Sequence, residues 1–290
     1  MPFLALGLAP ALARAAERLG FAAPTPIQAQ AIPVVLSGAD LLATAQTGSG
    51  KTASYVLPLL QSFVQQPPAS PRRVRALVLV PTRELAAQVG EVLRALAQDL
   101  PTRPKVVVLF GGVSINPQLM ALRGGADVVV ATPGRLLDVV THNALRLCHV
   151  GTLVLDEADR LLDLGFADEL QRVLALLPTR RQNLFFSATF PTSVQALADG
   201  LLHQPQRIDV PASDAEAPMV QQRAIQVDST RRTQLLRHLI ETEGWPRVLV
   251  FVATQHAATV VAGKLNRGEL YATPFHGGLS QGARQEVLGE

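Results

Sequence analysis

An octet, Ala45-Gln46-Thr47-Gly48-Ser49-Gly50-Lys51-Thr52, carries the residue types that can cradle a chain of phosphates. Gly48 and Gly50 let the backbone turn tightly and bring its N–H groups against phosphate oxygens with no Cβ in the way. Lys51 is a compact charge able to reach β- and γ-phosphates, and the Thr52 hydroxyl suits a place in a magnesium shell. A helical pattern opens here, so its N-terminal dipole also favours an anion. The usual pattern starts with glycine where this chain has Ala45, and an ordinary strand-to-helix turn is the competing explanation. Lysine usage argues for the cradle: of 26 Lys+Arg residues only Lys51, Lys105 and Lys264 are lysine, and one of them sits where the phosphates need it.

Further along, the apolar run Leu153-Val154-Leu155 leads into Asp156-Glu157-Ala158-Asp159. The run reads as a buried strand, so the Asp156 carboxylate emerges at the carboxyl edge of a parallel sheet, where open α/β folds bind ligands. Asp156 is suited to hold magnesium and Glu157 to orient or deprotonate an attacking water. An isolated Asp-Glu pair is more simply an acid-enriched helix start. With the phosphate cradle upstream, the nucleotide reading is preferred: the chain binds ATP with Mg2+ and is expected to hydrolyse it.

The elements that must position these groups alternate. Strands are expected at 40–43, 76–80, 106–110, 127–131, 152–155, 183–186 and 207–210, with helices at 27–36, 52–64, 84–97, 117–123, 134–141, 166–177 and 191–202. Such alternation implies parallel pairing with helices on both faces, an α/β fold. Residues 65–73 read as a surface loop. The polar, proline-bounded stretch 211–219 reads as a linker between a first domain, 1–210, and a partial second one, 220–290. That second part has strand-like runs at 220–227, 248–252 and 271–275, helical patterns at 231–242 and 257–265, and a further helix open at residue 290.

The 290 residues, 48% of them hydrophobic, are enough for one α/β domain and part of another. A net charge of +3, nearly all from arginine, is compatible with a phosphate-backbone partner. The lone Cys148 excludes an internal disulfide framework and fits a reducing compartment. The apolar N-terminus lacks a basic n-region and runs on with Leu8, Leu12, Ala16 and Leu19 at helical spacing. No run is long and apolar enough to span a bilayer, so a soluble, cytoplasmic protein is expected.

Read outward from the two nucleotide motifs, the chain resembles the DEAD-box RNA helicases, whose name spells 156–159. Gly20-Phe21 and Pro24-Thr25-Pro26-Ile27-Gln28 match the family's Q motif, within residues 1–30, with Phe3 as the isolated upstream aromatic. Pro81-Thr82-Arg83-Glu84-Leu85-Ala86, Gly111-Gly112 and Thr132-Pro133-Gly134-Arg135 match its RNA-facing segments, and Ser187-Ala188-Thr189 matches motif III. Val250-Phe251-Val252, His276-Gly277-Gly278 and 281–284 resemble second-domain segments.

The resemblance implies two RecA-like lobes of P-loop NTPase type, the second incomplete here, and ATP-dependent remodelling of RNA. Gln28 would read the adenine edge with its donor and acceptor, supported by Thr25. Phe21 either stacks on the base or packs the core. Pro81, Thr82, Arg83, Gly112, Thr132, Pro133 and Arg135 would hold phosphates of one RNA strand, largely blind to sequence and sensitive to salt. Ser187 and Thr189 would couple the nucleotide and RNA sites through the acidic motif; as local sequence they equally suit a strand-end turn. His276 reads more simply as a turn residue. The family's motif V and arginine-finger segment would follow Arg284, so the chain as given is expected to bind ATP and RNA but to unwind poorly. A DNA-directed or protein-remodelling ATPase is one rival, and a non-catalytic ATP/RNA-binding module is another.

Overall fold

The computed structural model describes residues 2–46, 48–66, 70–211 and 221–289. The chain divides into two compact units, Met1–Ala217 and Pro218–Glu290. The expected linker lies outside the described residues from 212 onward.

The first unit holds seven strands, β1 (Leu41–Thr44), β2 (Ala76–Leu79), β3 (Val106–Leu109), β4 (Val128–Ala131), β5 (Thr152–Asp156), β6 (Gln182–Ser187) and β7 (Gln206–Asp209). They form one all-parallel sheet in the order β3-β4-β2-β5-β6-β1-β7. Each strand-like run expected in this unit is present, shifted by at most a residue or two at its ends. The central runs are largely apolar because both faces are covered, whereas the edge strand β7 is polar and exposed except at Ile208. Side chains alternate between two cores: Val128, Val130, Ala76, Val78, Leu184 and Phe186 enter one, while Val129, Ala131, Leu77, Leu79 and Phe185 enter the other.

The first core is closed by α1 (Pro10–Arg18), α2 (Pro26–Ser37), α3 (Lys51–Gln65) and α4 (Arg83–Ala97). Helix α1 follows the spacing read from sequence: Leu8, Leu12 and Ala16 are buried, while Leu19 faces out. The second core is closed by α5 (Asn116–Ala121), α6 (Pro133–Thr141), α7 (Ala158–Asp163), α8 (Ala167–Ala175) and α9 (Thr192–Leu201). Helix α7, only six residues long, has no clear signal in the sequence. It packs on α9 and β6, and that packing holds what propensity alone could not.

One buried carboxylate fixes the strand that carries the phosphate loop. Asp40, immediately before β1, accepts hydrogen bonds from Asn183 N (2.7 Å), Asn183 Nδ2 (3.2 Å) and His203 N (2.9 Å), tying the starts of β1 and β6 to the turn before β7. Removing it strands the buried Asn183 N–H and the part-buried His203 N–H. Asp40→Ala should therefore cost about 2–4 kcal/mol in urea denaturation.

The second unit differs from expectation. It holds α10 (Arg232–Glu243), α11 (Gln255–Asn266) and α12 (Gln281–Gly289), close to the helices read from sequence. The strand-like runs 248–252 and 271–275, and the described part of 220–227, are not strands. Leu249 and Phe251 are 79% and 88% exposed. An apolar run becomes a strand only when a neighbouring strand takes its backbone N–H and C=O groups. Among the described residues no such pairing forms here, and Ala272 N and O are held instead by the Asn266 side chain.

Candidate nucleotide and RNA site

The carboxyl ends of β1, β6 and β5 lie side by side, with Thr44 paired to Ser187 and Asp156 to Phe186. The octet leaves β1 here and enters α3, so the cradle and the acidic motif share one edge of the sheet. Thr47 lies outside the described residues. Ala45 N donates to Ser187 O (3.1 Å), and the Ser49 hydroxyl donates to Gln46 O (2.8 Å). Gly50 is the N-cap of α3 at φ +95°, and no side chain caps the helix. A Cβ at Gly50 would stand 2.4 Å from Gln28 Nε2 and 3.0 Å from Thr25 Oγ1, so only glycine fits this turn. The uncapped first-turn N–H groups of α3 are left to point at a ligand.

Lys51 is buried, and its Nζ donates to Ala45 O at 2.7 Å, within its own loop. Gln28 is also buried. Its Nε2 donates to Gly50 O (3.2 Å) and its Oε1 accepts from Thr25 N (3.1 Å). The amide expected to read adenine thus holds the cap of the phosphate loop. Phe21 is half-buried, packed against the core beside α1 and α2 with part of its ring left accessible.

Asp156 is buried at the end of β5. Its Oδ2 accepts from the Tyr55 hydroxyl at 2.7 Å and its Oδ1 from Glu157 N at 3.0 Å. Burial raises its pKa to about 6, against the opposing pull of the Tyr55 hydrogen bond and the Lys51 charge. Tyr55 is itself fully buried, its ring 5.2 Å from that of Phe186; burial and then the Asp156 charge hold the phenol protonated, so it donates. Sequence reasoning missed Tyr55, because a tyrosine in an apolar helix looks like core. The available signal was its hydroxyl, which a buried tyrosine must satisfy.

Glu157 takes the left-handed conformation at φ +51°, ψ +53°, costly for a side chain with a Cβ. Its N–H is held by Asp156 and its C=O by Leu161 N (3.0 Å), while Arg160 Nη1 sits 3.0 Å from its carboxylate. Asp156 is buried and Glu157 only partly so, which gives two adjacent acids different surroundings.

Asp159 closes the link to motif III. Its Oδ2 accepts from Thr189 N (3.0 Å) and the Thr189 hydroxyl (2.8 Å); Ser187 Oγ accepts from Asp159 N (3.3 Å) and donates to Thr189 O (2.7 Å). Burial pushes the Asp159 pKa up, but the bonds from Thr189 and Ser187 and from backbone amides outweigh it and hold the group below its ordinary value. Ser187 and Thr189 are thus joined to the acidic motif through Asp159, whose role nothing in the local sequence announces.

The ends of β2, β4 and β3 continue the same edge. Pro81 is buried there, and the Thr82 hydroxyl caps α4 by accepting from Leu85 N (3.2 Å). Arg83 Nη1 lies 2.6 Å from where a Gly112 Cβ would be, so the glycine (φ +78°) lets the guanidinium sit over the loop. Thr132 and Pro133, buried, begin α6. Arg135 differs from a solvated helix start: it is buried, its Nη2 donates to Val113 O (2.8 Å), its Nε meets Asp138 only at 3.5 Å, and its Nη1 finds no hydrogen-bond partner among the described residues. It tethers the Gly111-Gly112 loop and keeps donor capacity free.

Residues 25–197 match the DEAD/DEAH box helicase family. The chain belongs to that family. Its relatives include a DEAD-box ATP-dependent RNA helicase CshA of Geobacillus kaustophilus, 37% identical over 286 residues, which is 99% of this chain and 60% of the relative. The CshA of Bacillus subtilis is 37% identical over 277 residues, 96% of this chain and 55% of the relative. The chain thus spans a little over half the length of the curated relatives it matches. Among solved structures, a DEAD box protein from the hyperthermophile Methanococcus jannaschii superposes with a TM-score of 0.67 at 33% identity, covering 100% of this chain and 76% of that one. In this DEAD-box chain the family's RecA-like α/β fold is the seven-stranded sheet described above. Among the described residues no helix is long and apolar enough to cross a membrane, and no three His, Cys, Asp or Glu side chains gather as a ready-made metal site.

In the second unit, Gly278 N donates to His276 Nδ1 (3.2 Å), the turn arrangement expected from sequence.

Proposed function

We propose that this chain is the ATP- and RNA-binding part of a DEAD-box RNA helicase, using Mg2+, and that the whole protein couples RNA-stimulated ATP hydrolysis to local duplex opening. The observation that carries this reading is the juxtaposition of an uncapped, glycine-only helix start, a buried Lys51 and a buried Asp156 at one sheet edge. The residues fit the nucleotide: the Gly50 turn is closed to any Cβ, and Lys51 bonds a loop carbonyl that a phosphate oxygen can replace. They fit magnesium also, which keeps several waters and takes phosphate oxygens rather than an all-protein cage. Thr52 and Asp156 would hold it, and it would neutralise charge on the transferred phosphoryl group.

The chain's own residues divide the work. Octet backbone amides beyond Ala45, whose own N–H stays on Ser187 O, bind phosphates, Lys51 exchanges Ala45 O for the β- and γ-phosphates, and Gln28 with Thr25 and Phe21 favours adenine. Glu157, less buried than Asp156, takes the proton of the attacking water. Pro81, Thr82, Arg83, Gly112, Thr132, Pro133 and Arg135 bind one RNA strand by its phosphates. Asp159 with Ser187 and Thr189 carries the state of the nucleotide site toward motif III. A cytoplasmic location follows from the family's activity on RNA and the single exposed Cys148.

Equilibrium binding of a fluorescent ATP analogue tests the nucleotide half. Lys51→Ala removes a charge-assisted hydrogen bond to phosphate and should weaken binding about 30-fold, and ultraviolet crosslinking should map RNA to peptides containing 81–83, 111–113 and 132–135. Unchanged nucleotide affinity in the variant, or crosslinks confined elsewhere, would overturn the assignment.

A further inference from the structure

In a parallel sheet every loop that enters a strand lies at one edge, opposite the edge that binds nucleotide. The entry loops of the five consecutive strands β3, β4, β2, β5 and β6 comprise residues 98–105, 122–127, 70–75, 142–151 and 176–181. Backbone hydrogen bonds stitch them side by side: Asp127 N to Lys105 O, Arg75 N to Asp127 O, Gly151 N to Arg75 O and Gln182 N to Gly151 O, each within 3.0 Å.

These loops carry nine Lys and Arg residues against two acids, Asp99 and Asp127. Their net charge is therefore +7 in a chain whose total is +3, which leaves −4 for everything else. Both acids are already taken, Asp127 by Arg72 and Asp99 by Arg18. Arg73, Arg103, Arg123, Arg146 and Arg180 are exposed, one on each loop, and their guanidinium groups have no partner among the described residues. Four inter-strand steps of about 4.8 Å lay this row over about 19 Å. One helical strand places a phosphate about every 3.4 Å of rise, so the row spans about six phosphate steps.

We infer that this edge is a second RNA-binding surface, a track for the phosphate backbone of RNA outside the nucleotide-dependent site. The inference rests on the proposed RNA function and adds to it a surface that the nucleotide does not control, because the length of the sheet separates the two edges. Arginine, with its planar fork, suits phosphate. A membrane surface is the poorer match: insertion needs apolar side chains beside the charges, and among the described residues of these loops Leu176 is the one large apolar side chain that is exposed.

The test is the binding of a labelled single-stranded oligouridylate to the full 290-residue chain without nucleotide, over a range of salt concentrations. The variant Arg73→Glu/Arg123→Glu/Arg146→Glu reverses three exposed charges whose guanidinium groups support nothing in the fold. It should bind at least tenfold more weakly, and the slope of log affinity against log salt should fall by about 2, at about 0.7 for each phosphate no longer neutralised. The corresponding triple lysine variant should keep most of the affinity. An unchanged slope and affinity, with Arg83→Ala alone abolishing RNA binding, overturns the track and leaves the proposed function standing. Failure of the parent chain to bind RNA under any condition overturns both. Stronger binding to phosphatidylserine vesicles than to RNA, abolished in the glutamate variant, reassigns the edge and also overturns the inference.

Discussion

Gly50→Ala should weaken ATP-analogue binding more than 100-fold and destabilise the first unit by about 2–4 kcal/mol. Two costs add. The backbone at Gly50 has φ +95°, outside the left-handed region that even asparagine favours, so an alanine there is strained by at least about 1–2 kcal/mol. The new methyl would also meet Gln28 Nε2 at 2.4 Å, far inside van der Waals distance. Gln28 is buried and bonded at both ends of its amide, so it cannot swing away without abandoning Thr25 N or Gly50 O. The turn or the glutamine must yield, and either movement re-aims the first amides of α3. Isothermal titration with the analogue and urea denaturation measure the two effects. A double variant, Gly50→Ala with Gln28→Ala, should recover part of the stability but not the affinity, because the clash is relieved while the φ strain remains. Recovery of both would mean that the methyl, and not the backbone, was at fault.

The same local geometry shows which parts of this molecule were legible in its sequence. Parallel strands buried on both faces are short continuous apolar runs, and Val128-Val129-Val130 or Leu153-Val154-Leu155 can hardly be anything else in a chain with helices between them. The octet and Asp156 were legible for a related reason, since glycine, lysine and a strand-end acid each answer a local demand. What escaped depended on distant partners. Tyr55 reaches Asp156 across 101 residues, and no pattern near either residue announces it. Arg135 at a helix start reads as a group awaiting an anionic partner, but nothing near it in sequence announces its bond to Val113 O, brought beside it after β3. Helix α7 needed β6 and α9 to hold six residues. The runs at 248–252 and 271–275 have the composition of strands, but composition does not supply a neighbour to pair with. In the sequence the entry-loop arginines are only a general bias. Topology places them in a row.

Asp156→Asn should abolish the magnesium-dependent part of nucleotide binding while leaving the metal-free protein as stable as the parent, or more so, at pH 7.5. The parent's carboxyl ionises near 3.8 when unfolded and at about 6 when folded, because burial opposes the charge more strongly than Tyr55 and Lys51 favour it. Between those two pH values the folded state holds the extra proton, so this group's contribution makes stability fall as pH rises from about 4 to 6 and stay level above. The full penalty is on the order of 3 kcal/mol. An amide escapes it but accepts only one of the two hydrogen bonds now made by Tyr55 and Glu157 N, so the net gain should be about 1 kcal/mol. Thermal unfolding in EDTA from pH 4 to 8 should show a falling arm in the parent that is flattened in the variant. For the parent with magnesium the sign reverses: a proton competes with the cation, so analogue affinity should drop as pH falls below 6, towards tenfold per unit. Tyr55→Phe separates the hydroxyl from the ring. It keeps the packing on Phe186 but strands a buried carboxylate on a single hydrogen bond, so the affinity drop should begin at higher pH than in the parent. A Tyr55→Phe profile superimposable on the parent's would show that the phenol packs without tuning the acid. A variant Asp156→Asn that still binds more tightly with magnesium than without would remove Asp156 from the metal site altogether.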